Sequence, residues 1–227
     1  MRTEDYARLK SVRLFQGLTP AQLDDLTANA TGLTAPRGTQ LFAQGDPPDH
    51  LHVVLHGMVA LIGRGPRGEE AVIEFFGVED VFLAAAVILD QPYLMAARVI
   101  EDSRLALIPA ASVRRAIERE NGVGGALAYE LSRHWRMAIG QLKDLKLRPA
   151  LPRLAAYLVE LADPVTGVAR LPAQRRLVAA RLAMSPESLS RCFAALRTHG
   201  VEARGRNIRI ADLGSLRRLS TLSAGAN

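Results

Sequence analysis

The residues best suited to chemistry stand close together in the C-terminal third of the chain. Glu187, Ser190 and Arg191 recur at spacings of three and four residues, so a helix would present them on one face. An arginine fork can donate two hydrogen bonds to a guanine edge, and a glutamate can accept one from cytosine. We therefore interpret this face as a surface that contacts base edges in the major groove. A simple surface ion pair between Glu187 and Arg191 is the alternative.

The residues around this face predict a helix-turn-helix. Residues 175–194 fit the pattern, with Ala183 at the turn, where glycine is more usual. Ser185 supplies an N-cap for the second helix and Pro186 a suitable first residue. An ordinary helical hairpin is the competing interpretation. The pattern buries Val178, Leu182, Met184, Leu189 and Cys192. The predicted DNA contacts of the second helix are Ser185, Pro186, Glu187, Ser188, Ser190 and Arg191.

A β-hairpin wing is predicted directly after this helix. Two short extended runs, 201–203 and 208–210, flank a tip whose Arg204 and Arg206 would meet DNA phosphates. The charge distribution agrees, because residues 151–227 hold 12 Lys and Arg against 5 acidic residues, a balance of +7. Residues 1–150 hold 17 against 18. A compact basic segment is typical of a nucleic-acid binder, although a solvated basic face gives the same count.

The longest helical pattern of the chain lies just before this basic segment. Between about residues 124 and 147, apolar residues recur at alternating spacings of three and four, which defines a heptad seam. Such a seam predicts a coiled coil with a second copy of the chain; packing against the chain's own β-domain is the alternative. The seam begins at Ala128, and the residues assigned to dimerisation are Leu131, Trp135, Ala138, Leu142 and Leu145.

Between residues 32 and 109 the pattern of apolar residues is typical of β-strands instead of helices. Short apolar runs, at 51–55, 59–62, 71–76 and 105–108, are separated by Gly, Pro and Asp. Runs of this kind predict a β-roll or jelly roll, and hence an α+β fold class. The predicted segments are a sensor domain over 1–122, a dimerisation helix over 123–148 and a winged helix-turn-helix over 149–227.

This layout resembles the Crp/Fnr superfamily of bacterial transcriptional regulators along essentially the whole chain. The run Glu187-Ser188-Leu189-Ser190-Arg191 matches the E-x-x-S-R signature of the Fnr-like branch, and Gly38, Gly45, Gly57 and Gly77 stand where the family places turn glycines. The resemblance implies a cyclic-nucleotide-binding-like sensor domain. It also implies a homodimer that binds double-stranded DNA at a palindrome of TTGAT-like half-sites, responds to a small effector and has RNA polymerase as a further partner.

The sensor segment departs from family members that bind cyclic AMP. Those members carry a Gly-Glu and then an Arg-Ser or Arg-Thr pair that clamps the cyclic phosphate, whereas this chain has Tyr93 and Leu94 at the clamp. A buried phosphate without a positive partner would be strongly disfavoured, so we expect no cyclic AMP dependence. The single cysteine, Cys192, excludes an iron–sulfur cluster held by several cysteines of one chain.

The apolar residues that replace the clamp resemble those of the haem regulators that respond to nitric oxide in this superfamily. The predicted effector pocket comprises Phe82, Tyr93, Leu94, Met95 and His134. Haem or another hydrophobic effector would suit such a lining, with His134 as the candidate ligand. A plain hydrophobic core is the alternative, and the sequence alone does not identify a cofactor.

Three histidines leave a second class of function open. His50 and His52 alternate on a predicted strand and His56 follows, a spacing similar to that of metal-binding cupins. A cupin-like metal-dependent enzyme is therefore the alternative to a regulator, and a sensor module without DNA function is a third. Because the other cupin ligands are missing, we expect no metal site and no catalytic residues. The chain shows no secretory signal and no long apolar stretch, which predicts a cytoplasmic protein without membrane contact.

Overall fold

The computed structural model describes residues 1–119 and 122–221, which form two compact units. Unit 1 is Met1–Arg136 and unit 2 is Met137–Asn227. The division falls inside the long helix α5 (Val123–Leu147) rather than at either of its ends. Residues 120, 121 and 222–227, which belong to the predicted sensor and DNA-binding segments, lie outside the described residues.

Unit 1 opens with two short helices, α1 (Thr3–Leu9) and α2 (Pro20–Thr27). The start of α2 is fixed by a reciprocal cap. The side-chain oxygen of Gln22 accepts a bond of 2.7 Å from the Thr19 N–H, and the Thr19 hydroxyl accepts the Gln22 N–H at 3.3 Å. The helix therefore begins where a proline already has the required φ angle.

An antiparallel sheet forms the body of unit 1 and confirms the predicted β-roll. Its strands follow the order β1-β6-β3-β4, with β2 paired to β6 and β5 paired to β3. The strands are β1 (Thr31–Ala35), β2 (Gln40–Phe42), β3 (His50–Arg64), β4 (Glu70–Phe76), β5 (Val81–Phe82) and β6 (Ala96–Pro109).

Strand β3 is continuous where the sequence predicted two separate runs. Gly57 lies in its middle with a φ of +83°, and the register with β6 shifts at this point. A Cβ atom on Gly57 would lie 2.3 Å from the carbonyl oxygen of Asp102. Glycine alone tolerates both the positive φ and the close approach of the Asp102 carbonyl, so the strand bends here instead of ending. The prediction of two separate runs was therefore wrong.

Two apolar clusters fill unit 1. One joins α1, α2 and α4 (Ala110–Glu118) to the start of α5. The other lies inside the roll and is rich in aromatic rings, including Phe42, Phe76, Phe82 and Tyr93; we call it the roll cluster. The short helix α3 (Ala84–Leu89) separates them, because Ala84 and Val87 pack into the first cluster and Leu83 and Ala86 against the second.

Unit 2 has the predicted winged helix-turn-helix architecture. Its helices after α5 are α6 (Ala150–Leu161), α7 (Arg175–Arg181), α8 (Pro186–Leu196) and α9 (Leu213–Ser220). Its three strands, β7 (Val168–Arg170), β8 (Val201–Arg204) and β9 (Asn207–Ile210), pair in the order β7-β9-β8. Although α5 runs for 25 residues, no helix in the described part of the chain combines the length and apolarity that a bilayer crossing requires.

Candidate nucleic-acid interface and effector region

The turn before α8 sets the direction in which this helix leaves α7. Ala183 has a φ of +49°, a left-handed conformation that lets the chain reverse within a few residues. The Ser185 hydroxyl then accepts the Ser188 N–H at 3.1 Å and caps α8, with Pro186 as its first residue. Cap, proline and turn together hold α8 in one orientation within unit 2.

Helix α8 has one buried and one exposed face. Leu189 and Cys192 are buried together with Val178 and Leu182, as predicted, whereas Met184 is only half-buried. Glu187, Ser190 and Arg191 are exposed on the opposite face, and Ser188 is half-buried. The residues selected from the sequence for base contacts are therefore available to a partner.

In the structure, Glu187 interacts with the start of its own helix more closely than with Arg191. The carboxylate of Glu187 folds back to its own backbone N–H and to the Ser185 hydroxyl, which lower its pKa; the charge of Arg191 adds a weaker effect. The unpaired backbone N–H groups at the start of α8 attract the Glu187 carboxylate more strongly than the Arg191 guanidinium does. Arg191 is consequently not oriented by Glu187 and extends from the helix as an exposed cation.

A groove of about 600 Å³ runs between α8 and the wing. Three arginines from different elements line it: Arg175 at the start of α7, Arg197 after α8, and Arg204 on β8. The Arg175 guanidinium lies 4.8 Å from the centre of the Phe193 ring, which holds it in place by a cation–π contact. Arg175 and Arg197 were not among the contacts predicted from the sequence, although the Arg-Arg pair at 175–176 was an available signal.

The two arginines of the wing tip differ in their surroundings. Arg204 is exposed. Arg206 donates from Nε to the Leu171 carbonyl at 2.7 Å and from Nη2 to the Pro172 carbonyl. The Arg206 guanidinium thus fastens the wing to the segment before α7. That both arginines meet phosphates stays a prediction.

The heptad residues of α5 differ in burial along the helix. Leu131 is half-buried and packs against the first cluster of unit 1. Trp135, Leu142 and Leu145 are 67%, 47% and 44% exposed, and Ala138 is also exposed. Large apolar side chains at heptad spacing are thus exposed in the part of the chain that the structure describes.

The predicted effector residues occupy three different environments. Phe82 and Tyr93 are fully buried in the roll cluster, and Met95 packs at its edge. The Tyr93 hydroxyl donates to the His50 carbonyl at 3.2 Å, and burial raises the pKa of Tyr93 to about 12. Leu94, in contrast, is 80% exposed. Tyr93 takes the inward position, so Leu94 does not line the interior, and its assignment to the pocket is corrected.

His134 is bonded to a buried carboxylate and packs against an aromatic ring. Its Nε2 lies 3.1 Å from a carboxylate oxygen of the buried Glu130, and its ring meets Phe76 edge-on at 5.8 Å. The hydrogen bond from His134 is the main cause that lowers the pKa of Glu130, while burial acts in the opposite direction. With one nitrogen bonded to a carboxylate, iron ligation through Nε2 would break a buried pair.

The three histidines of β3 do not converge on a common point. His56 is exposed, with Nδ1 3.3 Å from the Asp102 carbonyl oxygen, and His50 is half-buried. His52, in contrast, is buried, with only 5% of its surface exposed. Within residues 1–119 and 122–221, no group of three or more His, Cys, Asp or Glu side chains is placed to hold a metal ion.

Comparisons with known proteins cover both units. A family model for the cyclic nucleotide-binding domain matches residues 33–120, and one for the Crp-like helix-turn-helix domain matches residues 152–219. The CRP-like cAMP-activated global transcriptional regulator of Mycobacterium tuberculosis is 28% identical over 150 residues, which are 66% of this chain and 67% of that protein.

Solved structures extend the similarity over nearly the full length. A protein of Ruegeria pomeroyi, described as cyclic nucleotide-binding, is 30% identical with a TM-score of 0.64, covering 96% of this chain and 97% of that one. FixK2 from Bradyrhizobium japonicum is 24% identical with a TM-score of 0.77, covering 86% of this chain and 99% of its own. At that identity, the likeness to FixK2 concerns the fold.

Proposed function

Because this chain belongs to the Crp/Fnr superfamily and is a DNA-binding transcriptional regulator, we propose that it acts as a homodimer whose two α8 helices enter the major groove of a palindromic operator. The observation that carries this proposal is the exposed face of α8. Glu187, Ser190 and Arg191 project from a helix that is capped, oriented by a tight turn and flanked by an arginine-lined groove.

The groove beside α8 indicates that some arginines contact phosphates while another contacts a base. Arg175, Arg197 and Arg204 would meet phosphates and fix the position of the protein on the duplex, without sequence choice. Arg191 on the exposed helix face would contact a guanine edge. A sensor module without DNA function has less support, because such a module would not need this surface.

The exposed stripe of α5 supports the homodimer. Trp135, Leu142 and Leu145 would be buried against the same residues of a second copy, which is the way a heptad seam removes apolar surface from water. A symmetric dimer places its two recognition helices about one turn of DNA apart, roughly 34 Å, so the operator should be a palindrome. We further propose that the dimer works in the cytoplasm and acts on transcription through RNA polymerase.

Binding to a defined duplex tests this function directly. We expect the protein to bind a palindrome of TTGAT half-sites at least about 1,000-fold more tightly than random duplex at the same salt concentration. The measurement is fluorescence anisotropy of labelled duplexes, with a palindrome whose half-sites are moved apart by five base pairs as the control. Equal affinity for all three duplexes would reject the operator.

The effector we propose is not a cyclic nucleotide. The Mycobacterium relative is named as cAMP-activated, but the family resemblance puts Tyr93, which is buried in this chain, at the position of the phosphate clamp. Hydrophobic side chains make up the roll cluster around Tyr93, and the histidine ring packed among them, His52, is uncharged near pH 7 because burial lowers its pKa to about 4. A cyclic phosphate placed against it would lose its hydration without gaining an ion pair.

Calorimetric titration with cyclic AMP and cyclic GMP tests this proposal. We expect no saturable binding of either nucleotide up to about 1 mM, which corresponds to a binding free energy weaker than about −4 kcal/mol. The same preparation must bind the operator, so that inactive protein is not mistaken for a negative result. Saturable micromolar binding of either nucleotide would overturn this interpretation of the sensor domain.

Haem and metal-dependent catalysis are the two other candidates raised by the sequence. The bond between His134 and Glu130 weighs against His134 as an iron ligand. The rings of His50 and His52 lie 6.4 Å apart, but the exposed His56 lies beside the Asp102 carbonyl instead, which weighs against a cupin-like metal site. An uncharged effector within unit 1 is the proposal that best suits the apolar surroundings of Phe82, Tyr93 and Met95.

A further inference from the structure

Four charged or titratable side chains meet where α5 packs against the turn between β4 and β5. Glu130 is only 4% exposed, and both of its carboxylate oxygens accept hydrogen bonds from Arg133 Nη1, at 3.1 and 2.9 Å. His134 Nε2 lies 3.1 Å from the same carboxylate. Asp80, on the turn, interacts electrostatically with all three. We call these four residues the α5 charge cluster. A glutamate is rarely buried to this degree unless it has such partners.

The turn that carries Asp80 is fixed by hydrogen bonds to the roll. Asp80 Oδ2 accepts the Gly77 N–H at 2.8 Å, which closes the turn. The Val54 N–H on β3 donates to the Asp80 carbonyl at 3.0 Å, and the Val54 carbonyl accepts the Glu79 N–H at 2.9 Å. The roll therefore determines where Asp80 lies, and the α5 charge cluster joins the roll to α5.

The cluster borders a cleft of about 270 Å³. Two further charged residues line this cleft, Arg13 from the helical turn before α2 and Glu79 from the turn after β4, and both are exposed. The Glu79 carboxylate also accepts a hydrogen bond of 2.9 Å from the Ser11 hydroxyl. Because the charges of Arg13 and Glu79 are opposite and screened by water, they change the charge balance of the cluster little.

The charges of the cluster are unequal when His134 is neutral. Glu130 and Asp80 each carry a negative charge when ionised, against the single positive charge of Arg133. Burial raises the pKa of Asp80, and the charge of Glu130 raises it further, whereas the Gly77 N–H lowers it. An excess charge in a partly buried site is unfavourable, and histidine is the side chain that takes up a proton near neutral pH. Protonation of His134 would give two positive charges against two negative ones.

His134 lies at the end of the part of α5 that packs against the roll. Its ring meets Phe76 of β4 edge-on, and Glu130, one turn earlier, is buried. Trp135 and Arg136 are exposed, and unit 1 ends at Arg136. His134 directly precedes Trp135 of the heptad seam. How firmly the cluster holds α5 therefore affects the start of the seam.

We propose that the α5 charge cluster is a proton-operated switch, in which His134 takes up a proton as the pH falls and thereby fastens α5 to the roll. Loss of this proton leaves an excess negative charge, so the attachment is complete on the acid side of the titration and weakens as the pH rises through it. The hydrogen bond from His134 lowers the pKa of Glu130, which keeps this carboxylate ionised on the acid side. This inference rests on the proposed function as a homodimeric regulator, and it makes operator affinity depend on pH.

The single tryptophan of the chain provides the readout, because Trp135 is adjacent to His134. We expect the Trp135 emission of the full chain to follow one sigmoid across the range of histidine titration, about pH 5 to 8. His134→Gln should remove it, although the glutamine amide can still donate to Glu130. Asp80→Asn tests the cluster itself. It keeps an acceptor for the Gly77 N–H but removes one negative charge, so the midpoint of the sigmoid should move to lower pH by about 0.5 or more.

Operator affinity provides the second measurement, at about pH 6 and about pH 8 and constant ionic strength. From the lower to the higher pH, the affinity of the wild type should fall about fivefold or more, and that of His134→Gln less than about twofold. The matched control is His56→Gln, at an exposed position of β3, which should behave like wild type in both assays.

Three results would overturn the proposal: an Asp80→Asn midpoint equal to that of the wild type, an unchanged emission titration in His134→Gln, or the same loss of operator affinity in His134→Gln and wild type. The emission titration needs no DNA. Failure to bind the operator at either pH would therefore reject the proposed function, and the emission of the Asp80→Asn protein would still decide whether the cluster is a switch.

Discussion

Leu142→Glu is expected to convert the protein to a monomer and to lower its affinity for a palindromic operator by at least about 100-fold. In the proposed dimer, the substitution places two like charges at a symmetric, desolvated contact, which costs about 3 kcal/mol or more. A monomer reaches only one half-site and loses the added contacts of the second α8 helix. Analytical ultracentrifugation gives the oligomeric state, and fluorescence anisotropy gives the operator affinity.

Leu147→Glu is the matched control for this experiment. Leu147 lies five residues further along α5 and is similarly exposed, but it falls at the heptad position that points away from a partner helix. This variant should remain dimeric and bind the operator like wild type. A dimeric Leu142→Glu protein would place the dimer contact elsewhere, and a monomeric Leu147→Glu protein would show that the heptad assignment is wrong.

Local signals in the sequence predict the winged helix-turn-helix well. The cap at Ser185, the proline at Pro186 and the glycine at Gly200 each act within a few residues, so their effect does not depend on distant parts of the chain. The turn at Ala183 was also predicted, and its φ of +49° shows why glycine would be the easier residue there. The elements that position the exposed face of α8 were therefore predictable.

Contacts between distant residues explain what the sequence did not reveal. Gly57 looks like a strand terminator until Asp102, 45 residues later, is seen to approach it. The burial of His52 depends on Phe42, Phe82 and Tyr93, which come from three other parts of the chain. The alternation of His50 and His52 suggests a shared face, but it does not show whether a given histidine is enclosed or exposed.

Charged side chains show the same limit within unit 2. Arg204 and Arg206 are equivalent by their position at the wing tip, yet only Arg206 is bonded to the carbonyls of Leu171 and Pro172. Glu187 and Arg191 have the spacing of an ion pair, but the capped start of α8 attracts the carboxylate instead. Sequence spacing predicts which groups can meet, whereas competing partners decide which of them do.

Arg191→Ala is expected to weaken operator binding by about 1–3 kcal/mol and to relax the preference at one base pair of each half-site. Arg191 is exposed on α8 and is free to place its fork against a guanine edge. Loss of a base contact reduces the affinity for the matching sequence and leaves non-specific binding nearly unchanged. The measurement is a titration against the palindrome, a palindrome with the guanine replaced, and random duplex, each at two salt concentrations.

Arg204→Ala provides the contrasting variant, because Arg204 lies at the exposed wing and would meet phosphate only. It should weaken binding to all three duplexes alike and reduce the slope of log affinity against log salt by about 1, since one fewer phosphate is neutralised. The two substitutions thus differ in the type of contact they remove, a base contact for Arg191 and a phosphate contact for Arg204, as well as in the size of the effect. Arg191→Ala could instead weaken binding to all three duplexes equally and lower the salt slope. Arg191 would then be a phosphate contact. Sequence recognition would have to lie with other residues of the exposed face, of which Ser190 and Glu187 are the nearest.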